Sequence, residues 1–143
     1  MNIHRPPSIA SDTRGASAVE FAMILPIFLV LLIGIFAYGS YFALLHGLQQ
    51  LTAEAARASI GGMTDSERQS LAQTSIAANV DKYPFLTARD LTVAGAATDP
   101  ATSTFSVTVS YNASGMLIFN LPDFIPMPPP IIVRTAAIQR GGY

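Results

Sequence analysis

Cysteine and tryptophan are both absent from the 143-residue chain, and charge is scarce: Asp, Glu, Lys and Arg make up only 12%. Without cysteine there can be no disulfide, no thiolate nucleophile and no thiolate-bound metal. An average soluble domain carries about 25% charged residues. The deficit here, with 50% apolar residues and a mean hydropathy of +0.41, points towards a membrane. A formal net charge of -1 excludes a general attraction to nucleic acid or acidic ligands. Histidine is limited to His4 and His46. No Walker loop, GxGxxG, HExxH or GxSxG motif occurs. Asp65 and Glu67 read as the acidic first turn of a helix, and Asp81-Lys82 and Arg89-Asp90 as solvated charge pairs. The chain therefore reads as non-enzymatic, with no cofactor, no metal and no small-molecule substrate expected.

What is present is one long apolar run. Residues 21–53 contain no Asp, Glu, Lys or Arg, and residues 21–45 are apolar almost throughout. A bilayer core about 30 Å thick needs roughly 20 helical residues, and this run exceeds that. A helix apolar on all sides needs lipid or a large protein core around it, and the rest of the chain is too small to supply such a core. The run is longer than the h-region of a secretory signal and has no small-residue cleavage site at its far end. Arg5 and Arg14 precede it, opposed within the leader only by Asp12, whereas beyond it acidic residues match or exceed basic ones. The positive-inside rule then puts the N-terminus in the cytoplasm and the remainder outside. Tyr38, Tyr41 and Phe42 fall towards the outer interface, and His46 reads as an interfacial side chain.

The junction before the run reads Thr13-Arg14-Gly15-Ala16-Ser17-Ala18-Val19-Glu20-Phe21. A polar leader ends in Gly15, four small or apolar residues follow, and Glu20-Phe21 opens the apolar run. This G/xxxxEF arrangement resembles that of type IV prepilins. With Ala16, Val19-Glu20-Phe21-Ala22 and Leu25-Pro26 leading into the Leu/Ile/Val run, it is similar to the TadE-like family of the tight-adherence (Flp-type) pilus. The resemblance is densest over residues 15–62. It implies cleavage between Gly15 and Ala16 by a prepilin peptidase, a separate protein, with loss of His4. It also implies a role for Glu20, the fifth residue after the cut, in meeting the new N-terminal amine of a neighbouring subunit.

The residues leave alternatives open. Gly15 lacks a Cβ, which suits close approach to a scissile bond, and Pro6-Pro7 keeps the leader start out of helix, so that Gly15 can act as a break before the helix. A carboxylate near a span edge is unfavourable and asks for a reason. Glu20 could instead stabilise the first helical turn through the macrodipole, or pair with the amine of its own chain. Pro26 removes a backbone donor and is expected to kink the helix, either for subunit packing or as a tolerated membrane proline. Gly39, Ala43 and Gly47 form a small-residue stripe that would let another helix approach.

Beyond the run the helix is expected to continue through Gln49–Ala58, with a Glu54–Arg57 ion pair, and to end at Gly61-Gly62. Thr64-Asp65-Ser66-Glu67 reads as a capping box opening a second helix to about Asp81, with Leu71, Ala72, Ile76 and Val80 as its apolar face; Pro84 closes it. The period then changes to two. Leu91, Val93 and Gly95 alternate, as do Phe105, Val107, Val109 and Tyr111, with Thr98-Asp99-Pro100 as turn chemistry between the two strands. A last strand is expected over residues 131–139, after the loop or polyproline II run Met127-Pro128-Pro129-Pro130. Residues 115–126 read as a loop folded over the sheet, or as an apolar surface for a neighbouring subunit. Asn112-Ala113-Ser114 formally matches a glycosylation sequon.

The expected fold class is α+β: a long N-terminal transmembrane helix continuing into a small pilin-like domain with a second helix and a short antiparallel sheet. The expected organisation is a leader over 1–15, the transmembrane and extended helix over 16–60, and an extracytoplasmic domain over 61–143. The resemblance implies a minor pilin or pseudopilin in the bacterial inner membrane, in contact with lipid, prepilin peptidase, other pilin subunits and the pilus assembly machinery. Major subunits resembling Flp are much shorter and TadG-like relatives larger, which favours an accessory role. The alternative is a single-span anchored assembly factor that never joins a filament.

Overall fold

The computed structural model describes residues 13–122 and 124–139. His4, Arg5, Pro6-Pro7 and Asp12, on which the leader and part of the charge asymmetry rest, lie outside the described residues. Helix α1 spans Thr13–Ala58 and runs through Pro26 without a break in assignment. A 3-10 turn (Ser59–Gly61) ends it, and Gly62 is extended with its N–H on the Ser59 carbonyl at 3.1 Å. Helix α2 spans Asp65–Asn79 and passes into a second 3-10 turn, Val80–Lys82. Strands β1 (Leu91–Asp99), β2 (Thr104–Asn112) and β3 (Ile131–Gln139) form an antiparallel sheet in the order β1-β2-β3. The α+β architecture expected from the sequence is the one observed.

The chain divides into two compact units between Phe36 and Ala37. The described residues of the first, 13–36, are helix alone. Their side chains have no protein cover: Val19, Phe21, Met23, Ile24, Ile27 and Ile35 are each at least 61% exposed. In water every such group would add an apolar hydration cost of about 25 cal/mol per Å², so this surface suits hydrocarbon.

The second unit holds the core. From α1 it takes Leu44, Leu48, Leu51 and Ala55, one stripe at helical spacing. From α2 it takes Ala72 and Ile76, and from the turn after it Val80. Leu71, expected on this face, is 39% exposed. The buried positions recur every four residues, and Leu71 stands about 100° off that line. β2 alternates as its sequence requires, with Phe105, Val107, Val109 and Tyr111 buried and the residues between them turned outward. Three buried hydroxyls are satisfied within their own helix: Ser40 on the Ala37 carbonyl, Thr52 on Leu48 and Ser59 on Ala56. Such local bonds remove the cost of burying a hydroxyl.

β1 departs from simple alternation. Its register with β2 shifts between Val93 and Gly95, so Ala96, not Gly95, continues the inward face after Val93. A bulge inserts one residue and flips every later side chain. At the β1–β2 turn Asp99 accepts from the Ala101 N–H at 2.9 Å and from the Thr102 hydroxyl at 2.9 Å. These bonds favour the carboxylate and hold its pKa below the usual value, the Ala101 amide contributing most. Thr98 reaches Asp65 at 2.6 Å and ties this hairpin to the start of α2.

The capping box is present as read. The Glu67 N–H donates to the Thr64 hydroxyl at 3.2 Å, and the Glu67 carboxylate accepts from the N–H groups of Thr64 and Met63. Leaving α2, Tyr83-Pro84-Phe85-Leu86 makes a turn closed by Leu86 N–H on the Tyr83 carbonyl. Phe85 adopts φ 67 there, in the left-handed region, and its carbonyl accepts from the Tyr111 hydroxyl at 3.0 Å. Glu54 does not pair with Arg57. Its carboxylate instead lies beside the hydroxyl of Tyr83, and the pair among the described residues is Arg89–Asp90 at 3.6 Å.

Candidate functional site

The sequence directs attention first to residues 15–21. Gly15, Ala16, Glu20 and Phe21 all lie on α1 and all are exposed. The expectation that Gly15 breaks the chain ahead of the helix is corrected here: α1 already starts at Thr13, so the Gly15–Ala16 peptide is helical. The first turn of a helix lacks partners for its leading N–H groups and opens at little cost. No Cβ at Gly15 would meet another atom within 4 Å, so the backbone is open to approach from outside.

Glu20 sits about two turns into α1. The macrodipole acts within the first turn, so in the uncut chain it contributes little at this position. If the helix began at Ala16, Glu20 would fall in its first turns, near the new amine. The carboxylate directly precedes the charge-free run and is solvent-facing.

The small-residue stripe is used unevenly. Gly39 is exposed, and a Cβ there would meet nothing within 4 Å. Ala43 is half-buried. Gly47 is buried against its own chain, where a Cβ would stand 3.4 Å from Tyr83 and 3.6 Å from Leu86. Of the three, Gly39 has the most open space around it.

Two contacts were not legible in the sequence. The Tyr38 hydroxyl donates to the Pro126 carbonyl, and the Tyr41 hydroxyl donates to the Pro129 carbonyl at 3.1 Å. The Tyr41 ring also packs edge-on against Phe119, with centroids 6.3 Å apart. The segment 115–126 is in part a plug: a 3-10 turn (Leu117–Asn120) buries Ile118 completely, with Met116, Phe119 and Leu121 packed around it. The segment is thus a loop folded onto the core, and its contacts with Tyr38 and Tyr41 are to α1. Leu117 and Phe124 of the same segment are exposed.

Among the described residues no group of three or more His, Asp or Glu converges as a metal site. His46 is exposed. Asn112 of the sequon folds its amide oxygen onto the N–H and hydroxyl of Ser114, as in an Asx turn. Tyr83, half-buried against α1, has its pKa pushed up to about 12 by burial first and then by the Glu54 carboxylate beside its hydroxyl.

The chain is thus an α+β protein with, among the described residues, one helix long and apolar enough to cross a membrane, and a small domain that uses the later part of that helix. Residues 15–57 match the family model of the TadE-like protein, the family that the junction resembles. The match supports an association with the tight-adherence pilus. No curated protein and no solved structure matches the chain.

Proposed function

We propose that the protein is a minor pilin or pseudopilin of a tight-adherence pilus, anchored in the bacterial inner membrane with its second unit outside the cytoplasm. A prepilin peptidase removes the leader after Gly15. The mature helix then packs laterally against other pilin subunits, and Glu20 sets the register by meeting the Ala16 amine of a neighbour. Phe21 and Pro26 lie on the packing surface, and the open space at Gly39, beside Ala43, lets a partner helix come close. The observation that carries this reading is the Gly15…Glu20-Phe21 junction, directly ahead of an apolar run whose residues 21–33 are largely exposed, and within the matched segment.

A register role is physically reasonable for Glu20. A carboxylate at the edge of hydrocarbon costs up to about 2.5–3.5 kcal/mol at the bilayer centre and less near an end, and pairing with an amine offsets that cost. The same carboxylate would lose that partner if the leader stayed on, because Ala16 would then carry an amide and no charge.

The test is the intact mass and N-terminal sequence of the protein from native membranes, with and without the prepilin peptidase. A chain starting at Ala16, lost when the peptidase is absent, is expected. A chain still starting at Met1 in competent cells would remove the pilin reading and leave a plain membrane anchor. In processed protein, Glu20→Ala should abolish recovery in sheared filaments while leaving the N-terminus at Ala16. Normal piliation with Glu20→Ala would refute the register role.

A further inference from the structure

The proline-rich loop 122–130 has a composition that the pilin reading does not use. Five of its nine residues are proline, and residues 113–133 carry one charged side chain, Asp123. Proline has no N–H, so this stretch of irregular backbone has few donors to satisfy. Ile125 N–H bonds the Pro122 carbonyl at 3.0 Å, and the Pro130 carbonyl accepts from Ala113 N–H at 2.8 Å. The carbonyls of Pro126 and Pro129 take the hydroxyls of Tyr38 and Tyr41. Non-helical backbone is costly in a low-dielectric medium because unpaired polar groups lose water. This loop is depleted of N–H donors, and the carbonyls of Pro122, Pro126, Pro129 and Pro130 are paired within the protein.

Its position along α1 gives that chemistry a location. Roughly 20 helical residues cross a hydrocarbon core. Counted from Glu20, the last charge before the run, the outer boundary falls near Ser40, between Tyr38 and Tyr41. The two tyrosines hold Pro126 and Pro129 at that same depth. Phe124 beside them is 79% exposed and Met127 40% exposed, and Phe42, one residue beyond Tyr41 on α1, is 54% exposed. In water these side chains would be an unexplained apolar patch; at an interface they are what the headgroup–acyl boundary accommodates.

We infer that residues 124–130 dip into the outer leaflet of the membrane, with Phe124 and Met127 seated at the headgroup–acyl boundary and the Tyr38 and Tyr41 hydroxyls serving as internal partners for their carbonyls. The partner is a lipid surface. The loop gives the second unit a second membrane contact besides the span, and fixes its height on the bilayer. This inference rests on residues 21–45 spanning the membrane, but not on leader cleavage or on entry into a filament.

The chain contains no tryptophan, so a single introduced one is an unambiguous reporter. Three full-length variants, F124W, F28W in the span and M63W on the 84% exposed Met63, are reconstituted in phosphatidylcholine–phosphatidylglycerol vesicles. Each is quenched with lipid brominated near the headgroup end of its acyl chains and, separately, with aqueous iodide. F124W should show blue-shifted emission, quenching by the brominated lipid, and loss of most of the iodide quenching seen for M63W. F124W quenched by iodide as fully as M63W would overturn the inference, because the loop would then be in water. Quenching by neither reagent would overturn it too, because protein would then cover the loop. F28W separates the two layers of the argument. If it escapes lipid quenching, the span itself is wrong; if it is quenched while F124W is not, only the loop inference fails. The paired change Y38F/Y41F should restore iodide access to F124W with F28W unchanged.

Discussion

Phe105 is the largest fully buried side chain of the second unit. It is fully buried in the middle of the core, opposite Thr98 of β1 and Ile138 of β3 in the sheet register. The Arg68 guanidinium stands over its ring, 5.9 Å from the centroid. A buried aromatic removes about 150–250 Å² from water, worth roughly 4–6 kcal/mol at 25 cal/mol per Å². Extended-chain areas overstate burial, and observed Phe→Ala losses are about 3–5 kcal/mol. Phe105→Ala should therefore cost about 3–5 kcal/mol, a large share of the 5–15 kcal/mol that a domain usually has. For a unit of this size that is a fall in Tm of on the order of 10 °C or more. The assay is thermal and urea unfolding of the full chain in mild detergent. Near-UV circular dichroism is the readout, with Tyr41 and Tyr111 as buried reporters. Arg68→Ala and the double variant complete a cycle, in which the cation–ring contact should appear as a coupling of about 0.5–1 kcal/mol. A loss below about 1 kcal/mol for Phe105→Ala would refute the reasoning, because no fully buried ring can be so cheap to remove.

Thr64→Ala removes the hydroxyl that accepts from Glu67 N–H, and should destabilise the same unfolding transition by about 1 kcal/mol. Gly62→Ala is a steric matter, because its Cβ would lie 2.7 Å from both the backbone nitrogen and Cγ of Arg68. A shift of the α2 start costing about 1–3 kcal/mol is expected, visible in the urea midpoint with little change in slope. Tyr83 gives an alkaline signature. Its pKa is raised from 10.0 to about 12, so folding favours the neutral phenol. That contribution is fully present below pH 10 and is lost as pH rises through about 12. Tyr83→Phe should flatten the stability profile between those limits; an unchanged profile would show that Tyr83 is not the titrating group.

Much of this protein could be read from local sequence. The charge-free run, the Thr64–Glu67 box and the alternation in β2 each encode a structural element within a few neighbouring residues, where period and hydrogen-bonding chemistry act directly. The strand over residues 131–139 was legible from local sequence too. The rest depends on partners distant in sequence. Tyr38 and Tyr41 find Pro126 and Pro129, each 88 residues away, and nothing in either segment announces the other. Glu54 could reach Arg57 one turn along, yet packing sets Tyr83 beside it. Gly47 looked equivalent to Gly39 by spacing, but the turn at Tyr83–Leu86 closes over one and leaves the other open. The bulge between Val93 and Gly95 is set by pairing with β2 and not by β1 alone. Sequence by itself determined which segments are helix, strand and apolar anchor, because those follow from short-range periodicity. Tertiary structure decided which faces are used and which polar groups meet, because those follow from how distant segments share one small core.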